Sequence, residues 1–337
     1  GRPAEGDGLA GRHPGGSRHH RPADALTLLA GEEELSDPAL LTDMEKACQR
    51  IWQAIDNGET IVVFGDYGRG RRDCHGIAVS APQGHGRRRQ VHAAQPRGRW
   101  LWPVAQRHPV HPRQGLSAHR DGGQRHLRCS RGRLCRRLGI DLIITDHHLP
   151  PETLPKAVAV VDPRREDDTS PFKGLCGAGV AFKLCAALDD CTPEEMLDYC
   201  GDLAAVGTVA DVMPLTGENR TLVKGRPAAA AADRPPRHGS LLEEVGLAGK
   251  LVTAENISYA IAPRINAAGR MDSAVTALQL VLCEDPDRAA ELAHKLNEIN
   301  AKRQETELQI FKAAEELLEQ QPERLEDRVI LLWGRDW

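Results

Sequence analysis

Three adjacent side chains, Asp146, His147 and His148, follow directly after a short aliphatic run. Carboxylate oxygens suit hard cations such as Mn²⁺ and Mg²⁺, and imidazole is the commonest metal-ligating side chain. Neighbouring side chains of an extended segment point to opposite faces, so one imidazole can face a metal while the other faces a substrate. Two surface histidines in a turn are the simpler alternative. The residue types therefore predict metal-assisted chemistry at this point of the chain.

The segments before these side chains predict where they lie. Residues 140–145 are a buried parallel strand by composition, with Gly139 before it and Pro150 after it. Open α/β sheets place their ligands at the carboxyl ends of such strands. A second aliphatic run, residues 61–65, ends at Asp66. Taken alone, Asp66 could instead satisfy the N-terminus of a helix.

The remaining pattern alternates helices with strands, which predicts an α/β fold with a parallel sheet. A short strand is expected over 157–161. The predicted helices cover residues 40–57, 177–188, one or two segments within 190–212, and 286–321, the last about 50 Å long. Asp211 lies near the end of one of them, where a surface acid is the plain alternative. A further strand is predicted over 327–334.

Four motifs in this order carry a resemblance. They are the strand 61–67 with Asp66 at its end, the Asp146-His147-His148 run, the helix 202–215 that carries Asp211 near its end and is followed by Gly217-Glu218-Asn219-Arg220, and the 262–270 segment Ala-Pro-Arg-Ile-Asn-Ala-Ala-Gly-Arg. Together they resemble the DHH phosphoesterase superfamily, and most closely the RecJ family of single-stranded-DNA-specific exonucleases. The resemblance covers about residues 27–67, 138–224 and 240–337.

The resemblance implies a parallel-sheet DHH domain followed by a long connecting helix. It implies a site for two Mn²⁺ or Mg²⁺ ions, with Asp66, His147 and Asp211 as metal ligands. His148 matches the residue that contacts the scissile phosphate, and Asp146 would orient the adjacent imidazoles. Two divalent cations suit phosphodiester hydrolysis because they activate a water and relieve the leaving oxygen of charge.

The resemblance also implies the substrate. Arg264 and Arg270 would pair with backbone phosphates and Asn266 would bond sugar or phosphate, although two solvated arginines are the plain alternative. The expected activity is 5′-to-3′ hydrolysis of single-stranded DNA in repair and recombination. Two alternatives remain open: a DHH phosphoesterase for oligoribonucleotides or cyclic dinucleotides, and a non-catalytic nucleic-acid-binding protein.

One segment has a composition unlike the rest of the chain. Residues 68–137 hold 17 Arg, 7 His, no Lys and two acids, and no helix or strand period survives there. A basic nucleic-acid-binding arm is one interpretation. We favour a frame slip over residues 68–135, because shifted GC-rich codons give Arg, Gly, Pro, Ala and His.

The codons support the frame slip. Residues 68–72, Gly-Arg-Gly-Arg-Arg, permit Asp-Ala-Asp-Gly when read one base later, and residues 122–126 permit Val-Asp-Asn-Gly-Ile. Both match acidic motifs of the family. As printed, the chain has Gly68, Gly70 and Gly123 where the family has further metal-site acids. The two-metal site is thus expected to be incomplete, and we expect this polypeptide to have no appreciable nuclease activity.

These patterns divide the chain into five parts. Residues 1–24 and 225–239 are expected to be aberrant segments, and residues 25–224 the DHH domain. Residues 240–325 are expected to form a helical nucleic-acid-contact and connector region. Residues 326–337 would be the truncated start of a second, DHHA1-type domain that is otherwise missing.

The composition sets the remaining expectations. Net charge is −4 and no apolar run reaches 18 residues, so no membrane association is expected. Nine cysteines stand without CxxC spacing, which favours reduced thiols and a cytoplasmic location. The expected partners are single-stranded DNA and repair or single-strand-binding proteins, and the expected state is a monomer.

Overall fold

Helices make up most of the described chain, and a small four-stranded sheet lies beside them. The structure is a computed structural model that describes residues 34–61, 63, 104–106, 139–224, 236–271 and 274–334. A 3₁₀ turn, Pro38–Leu40, leads into helix α1, Met44–Asp56. Among the described residues, no helix combines the length and apolar character needed to cross a membrane.

The sheet carries the candidate site at the end of one strand. Its strands are β1 (Thr60–Ile61), β2 (Val104–Gln106), β3 (Asp141–Thr145) and β4 (Ala159–Val161), and they lie in that order. β3 and β4 form the predicted parallel pair, with Ile143 opposite Ala159. β1 and β3 each pair with β2 in the antiparallel direction. The sheet is therefore mixed rather than wholly parallel, and β2 lies within the Arg-rich segment where the sequence predicted no strand.

Two helices that pack against each other form the centre of the first apolar cluster. Helix α2, Gly177–Asp189, is apolar on almost every side and is buried along nearly its whole length. Helix α3, Pro193–Ala210, begins with a capping box in which Thr192 and Glu195 exchange hydrogen bonds. These helices, α1 and the inner sides of β3 and β4 bury a common core that includes Met44, Phe182 and Val161. Both predicted helical regions are present with nearly the expected ends.

A second apolar cluster lies among the later helices. The segments in chain order are α4 (Glu218–Lys224), α5 (Pro236–Glu244), α6 (Ala254–Asn256), a π-helical stretch (Ile257–Ile261), α7 (Ala262–Met271), α8 (Ala274–Val281) and α9 (Pro286–Gln320). The first half of α9 packs into this cluster through residues such as Leu292 and Leu296. Helix α5 begins inside the segment 225–239, whose residues 225–235 lie outside the described part.

The long connecting helix is confirmed. Helix α9 has 35 residues, about 52 Å at the usual rise per residue. Asp285 caps its start by accepting a hydrogen bond from the backbone N–H of Arg288 at 2.8 Å. Its second half has no buried residue after Asn300, and Leu308 and Phe311 are exposed.

The predicted strand over 327–334 is wrong. After a 3₁₀ turn, Pro322–Glu326, this segment has no regular structure, and Val329, Leu331 and Trp333 are exposed. A strand needs a hydrogen-bonded neighbour, and in the described ranges no strand pairs with these residues. Alternating apolar residues favour a strand but do not provide the neighbouring strand that it needs.

A buried ion pair joins α2 to α4. Lys183 Nζ lies 2.6 Å from Glu218 Oε2, and both side chains are almost fully buried. Lys183 also donates to the backbone oxygen of Ser36, whose hydroxyl donates to Glu218 Oε1 at 2.6 Å. Burial lowers the pKa of the Lys183 ammonium, and the charge of Glu218 opposes that change. The pair therefore holds α4, and the loop before it, against the core.

Breaking this pair should destabilise the protein strongly. We expect Lys183→Met to lower the free energy of unfolding by about 3–5 kcal/mol, because Glu218 is left as an uncompensated buried charge. Urea denaturation measures the change. Lys46→Met is the matched control, since the Lys46–Asp43 pair has an exposed ammonium, and it should lose less than about 1 kcal/mol. Equal losses in the two variants would contradict the expectation.

Candidate metal centre

The end of β3 delivers the Asp-His-His residues to the edge of the sheet. The Asp146 N–H donates to the carbonyl of Val161 at 2.9 Å, so hydrogen bonding to β4 continues one residue past β3. Asp146 and His147 are buried, whereas the side chain of His148 is 41% exposed. One imidazole is thus buried and the other remains partly accessible; their separate roles toward a metal and a substrate stay a prediction.

The Asp146 carboxylate fixes the turn and one imidazole. Its Oδ1 accepts hydrogen bonds from the backbone N–H groups of His147 at 2.8 Å and His148 at 3.3 Å. The same oxygen lies 2.9 Å from His148 Nδ1. With Nδ1 held by the carboxylate, Nε2 is the ring nitrogen that can face a substrate. This geometry supports the orienting role predicted for Asp146.

Helix α3 brings a second carboxylate to the same place. Asp211 caps the end of α3, and its Oδ2 lies 3.4 Å from His147 Nε2. Two ligands each about 2.1 Å from an octahedral Mg²⁺ ion lie about 3 Å apart. An imidazole nitrogen and a carboxylate oxygen from different elements therefore stand close to the separation that one shared divalent cation requires. The donor set fits Mn²⁺ or Mg²⁺.

A strained residue follows Asp211 directly. Val212 N–H donates to Val209 O and Met213 N–H to Thr208 O, both at 3.1 Å, which is the Schellman pattern of a helix end. The residue at its left-handed position is usually glycine, but here Val212 occupies it with φ of 57°. This conformation costs a non-glycine residue about 1–2 kcal/mol. Val212 is also 87% exposed, so burial does not offset the strain.

Cys176 is a buried residue beside Thr208 of α3, and the sequence did not single it out. It caps the start of α2, where its Sγ accepts from Gly179 N–H at 3.3 Å and lies 3.4 Å from Thr208 Oγ1. Burial raises the pKa of the Cys176 thiol to about 11, and the charge of Asp211 adds to the rise. The thiol is therefore neutral at physiological pH.

A Cβ on Gly179 would lie 3.1 Å from Leu175 Cδ2, so this glycine serves close packing rather than a phosphate loop.

The predicted nucleic-acid residues all lie on α7. Arg264 is half-buried, and it donates to Asn297 Oδ1 of α9 at 2.9 Å and to the backbone oxygen of Ala260 at 2.6 Å. Burial lowers the pKa of the Arg264 guanidinium, with Glu244 opposing the shift. Asn266 is partly exposed and Arg270 is exposed. Arg270 is therefore the more accessible of the two arginines, because Arg264 already ties α7 to α9.

The remaining predicted site residues are not described. Asp66 lies outside the described residues, as do Gly68, Gly70 and Gly123. The described part thus brings together Asp146, His147, His148 and Asp211, a set drawn from β3 and α3.

Comparison with known proteins indicates the family of the chain. The family model "DHH family, N-terminal domain" matches residues 117–208. The chain is 34% identical over 306 residues to the single-stranded-DNA-specific exonuclease RecJ of Bacillus subtilis and 33% identical over 290 residues to that of Escherichia coli. These matches cover 88% and 79% of this chain. The chain spans only 37% and 48% of the length of these relatives.

Solved structures give the same result. The chain superposes on exonuclease RecJ bound to manganese with a TM-score of 0.64 at 33% identity, covering 81% of this chain and 69% of that one. For RecJ of Thermus thermophilus with Mn²⁺ the TM-score is 0.62 at 32% identity, covering 81% of this chain and 40% of that one. The shared fold, the ordered motifs and the identity over most of this sequence lead to one conclusion: the chain belongs to the RecJ family of DHH proteins.

Proposed function

We propose that this chain carries the phosphodiester-hydrolysing domain of a metal-dependent 5′-to-3′ exonuclease for single-stranded DNA, acting in repair and recombination. The observation that carries the proposal is the 3.4 Å approach of His147 Nε2 to Asp211 Oδ2, with Asp146 and His148 beside them. The relatives named above are single-stranded-DNA-specific exonucleases, and two solved relatives hold Mn²⁺.

The side chains take distinct roles in this proposal. His147 and Asp211, together with Asp66, would hold Mn²⁺ or Mg²⁺, which when bound supplies an activated water and charge neutralisation at the phosphate. His148 presents its Nε2 to a phosphate oxygen, and Asp146 keeps the ring in that orientation through Nδ1. Burial of His147 excludes bulk water from one side of the site.

The nucleic-acid contacts lie on α7 in the proposal. Arg270 pairs with a backbone phosphate of the single strand, Asn266 bonds sugar or phosphate, and Arg264 contributes from its half-buried position. Repair or single-strand-binding partners, a monomeric state and the cytoplasmic location that the cysteine pattern favours remain predictions from the sequence.

The printed sequence limits turnover. Glycines at 68, 70 and 123 offer no carboxylate for a second cation, so hydrolysis by this polypeptide should be negligible while binding persists.

We expect fluorescence anisotropy to show Mn²⁺-dependent binding of a 12-nucleotide single strand and much weaker binding of the matching duplex. We also expect 5′-labelled single-stranded DNA to be cleaved no faster by this chain than by its His147→Ala variant. A preference for duplex, or for free dinucleotides over the 12-mer, would overturn the single-stranded-DNA assignment.

A further inference from the structure

We infer that Val212, with Leu149, forms an apolar contact for the base of the nucleotide whose phosphate enters the metal centre. The inference rests on the proposed function and goes beyond it by naming what holds the nucleoside. Its starting point is the strained and exposed Val212 described above. A left-handed β-branched residue is a rare outlier, and such outliers cluster at functional sites.

The helix end does not need a valine at this position. The Schellman hydrogen bonds use only the backbone, and glycine adopts the required conformation without strain. The valine side chain is 87% exposed, so it contributes almost nothing to the core. A residue that strains the backbone without burying its side chain points to a contact made with something outside the chain.

The position of Val212 indicates what that partner is. Val212 follows Asp211, and Leu149 lies two residues after His147; the side chains of Asp211 and His147 are 3.4 Å apart. Leu149 is also exposed, at 65%. Each of these exposed apolar residues therefore lies within two positions, along the chain, of a residue proposed to hold the metal. In a nucleotide one sugar separates the phosphate from the base, and the base is the group with an apolar face.

Removing the side chain should weaken binding only when the base is present. The probe is a 5′-phosphorylated 12-mer of thymidine with a 3′ fluorophore and a phosphorothioate first linkage, which slows cleavage. The same oligomer without its first base is the second probe. We expect Val212→Gly to bind the intact probe in Mn²⁺ about fivefold more weakly than the unchanged chain, as for loss of part of a valine's apolar contact. On the abasic probe the two proteins should bind equally.

Three further variants separate contact from strain. Asparagine also tolerates the left-handed conformation, so Val212→Asn should bind the intact probe more weakly by the same factor as Val212→Gly. Val212→Ile should retain the binding of the unchanged chain. Asp190→Gly relieves the same conformation at the end of α2, about 20 Å along that helix from Cys176, and should leave binding unchanged. Val212→Gly should also raise the thermal midpoint, so weaker binding cannot come from unfolding.

The outcomes distinguish this inference from the proposed function. Equal binding of the intact probe by Val212→Gly and the unchanged chain overturns the base contact alone. An equal loss on the intact and abasic probes does the same, because the lost contact then involves no base. If the unchanged chain binds neither probe in Mn²⁺, both the base contact and the proposed function are overturned.

Discussion

The His147→Ala variant should bind Mn²⁺ much more weakly than the unchanged chain. We expect the dissociation constant for Mn²⁺ to rise at least about 100-fold, since loss of an outer partner of a ligand alone can reach that factor. The cause is local: His147 Nε2 and Asp211 Oδ2 bring donors from two different elements together, and alanine leaves the carboxylate without its imidazole partner. Isothermal titration calorimetry with MnCl₂, at a pH where imidazole is neutral, gives the constant.

His148→Ala is the matched control for that measurement. The two imidazoles are adjacent, with ring centroids 4.2 Å apart, but it is Asp146 that orients His148, whereas Asp211 approaches His147. We expect His148→Ala to bind Mn²⁺ as the unchanged chain does and to lose affinity for single-stranded DNA instead. If the two variants lose Mn²⁺ to the same extent, the assignment of separate roles is wrong.

Restoring the reading frame should create nuclease activity. In the chain to be tested, residues 68–135 are replaced by the translation read one base later, with the acids that this frame permits at 68, 70 and 123. We expect release of the 5′-terminal nucleotide from labelled single-stranded DNA in Mn²⁺ to rise at least about a thousandfold, comparable to restoring a principal group that stabilises transition-state charge. The printed chain is the reference for that ratio.

Two variants make this test specific. The restored chain with His147→Ala should return to the rate of the printed chain, which assigns the gain to the metal centre. The triple variant Gly68→Asp, Gly70→Asp, Gly123→Asp in the present sequence keeps the Arg-rich segment around these positions and should gain little, because that segment lacks the apolar pattern of the family's strands. Absence of any gain in the restored chain would refute the frame slip, as would independent coding sequences that keep the present phase.

The sequence predicted the elements that depend on local pattern. The aliphatic run before Asp146 indicated β3, and the periodicities indicated α2 and α9 with ends within a residue or two of the observed ones. The metal-assisted chemistry of Asp146, His147 and His148 was inferred from residue types alone and stays a prediction. Their proximity to Asp211 was predicted only from the family resemblance, because no local sequence pattern relates residues so far apart in the chain.

The features that escaped prediction depend on distant partners or on rare conformations. Strand β2 has three residues, too few to show a period, and it exists only between two neighbours. The half-buried state of Arg264 comes from α9, more than thirty residues later. The left-handed conformation of Val212 could not be predicted from the sequence, because valine seldom adopts it.

The direction of α3 has a consequence for the order in which a metal ion and a nucleic acid would bind. Its 18 residues run toward Asp211, so the negative end of the helix dipole, about half an elementary charge, adds to the carboxylate there. A phosphodiester approaching this point would meet electrostatic repulsion, which a divalent ion held by His147 and Asp211 would offset. Under the proposed function, the direction of this helix would favour binding of the ion before the polynucleotide.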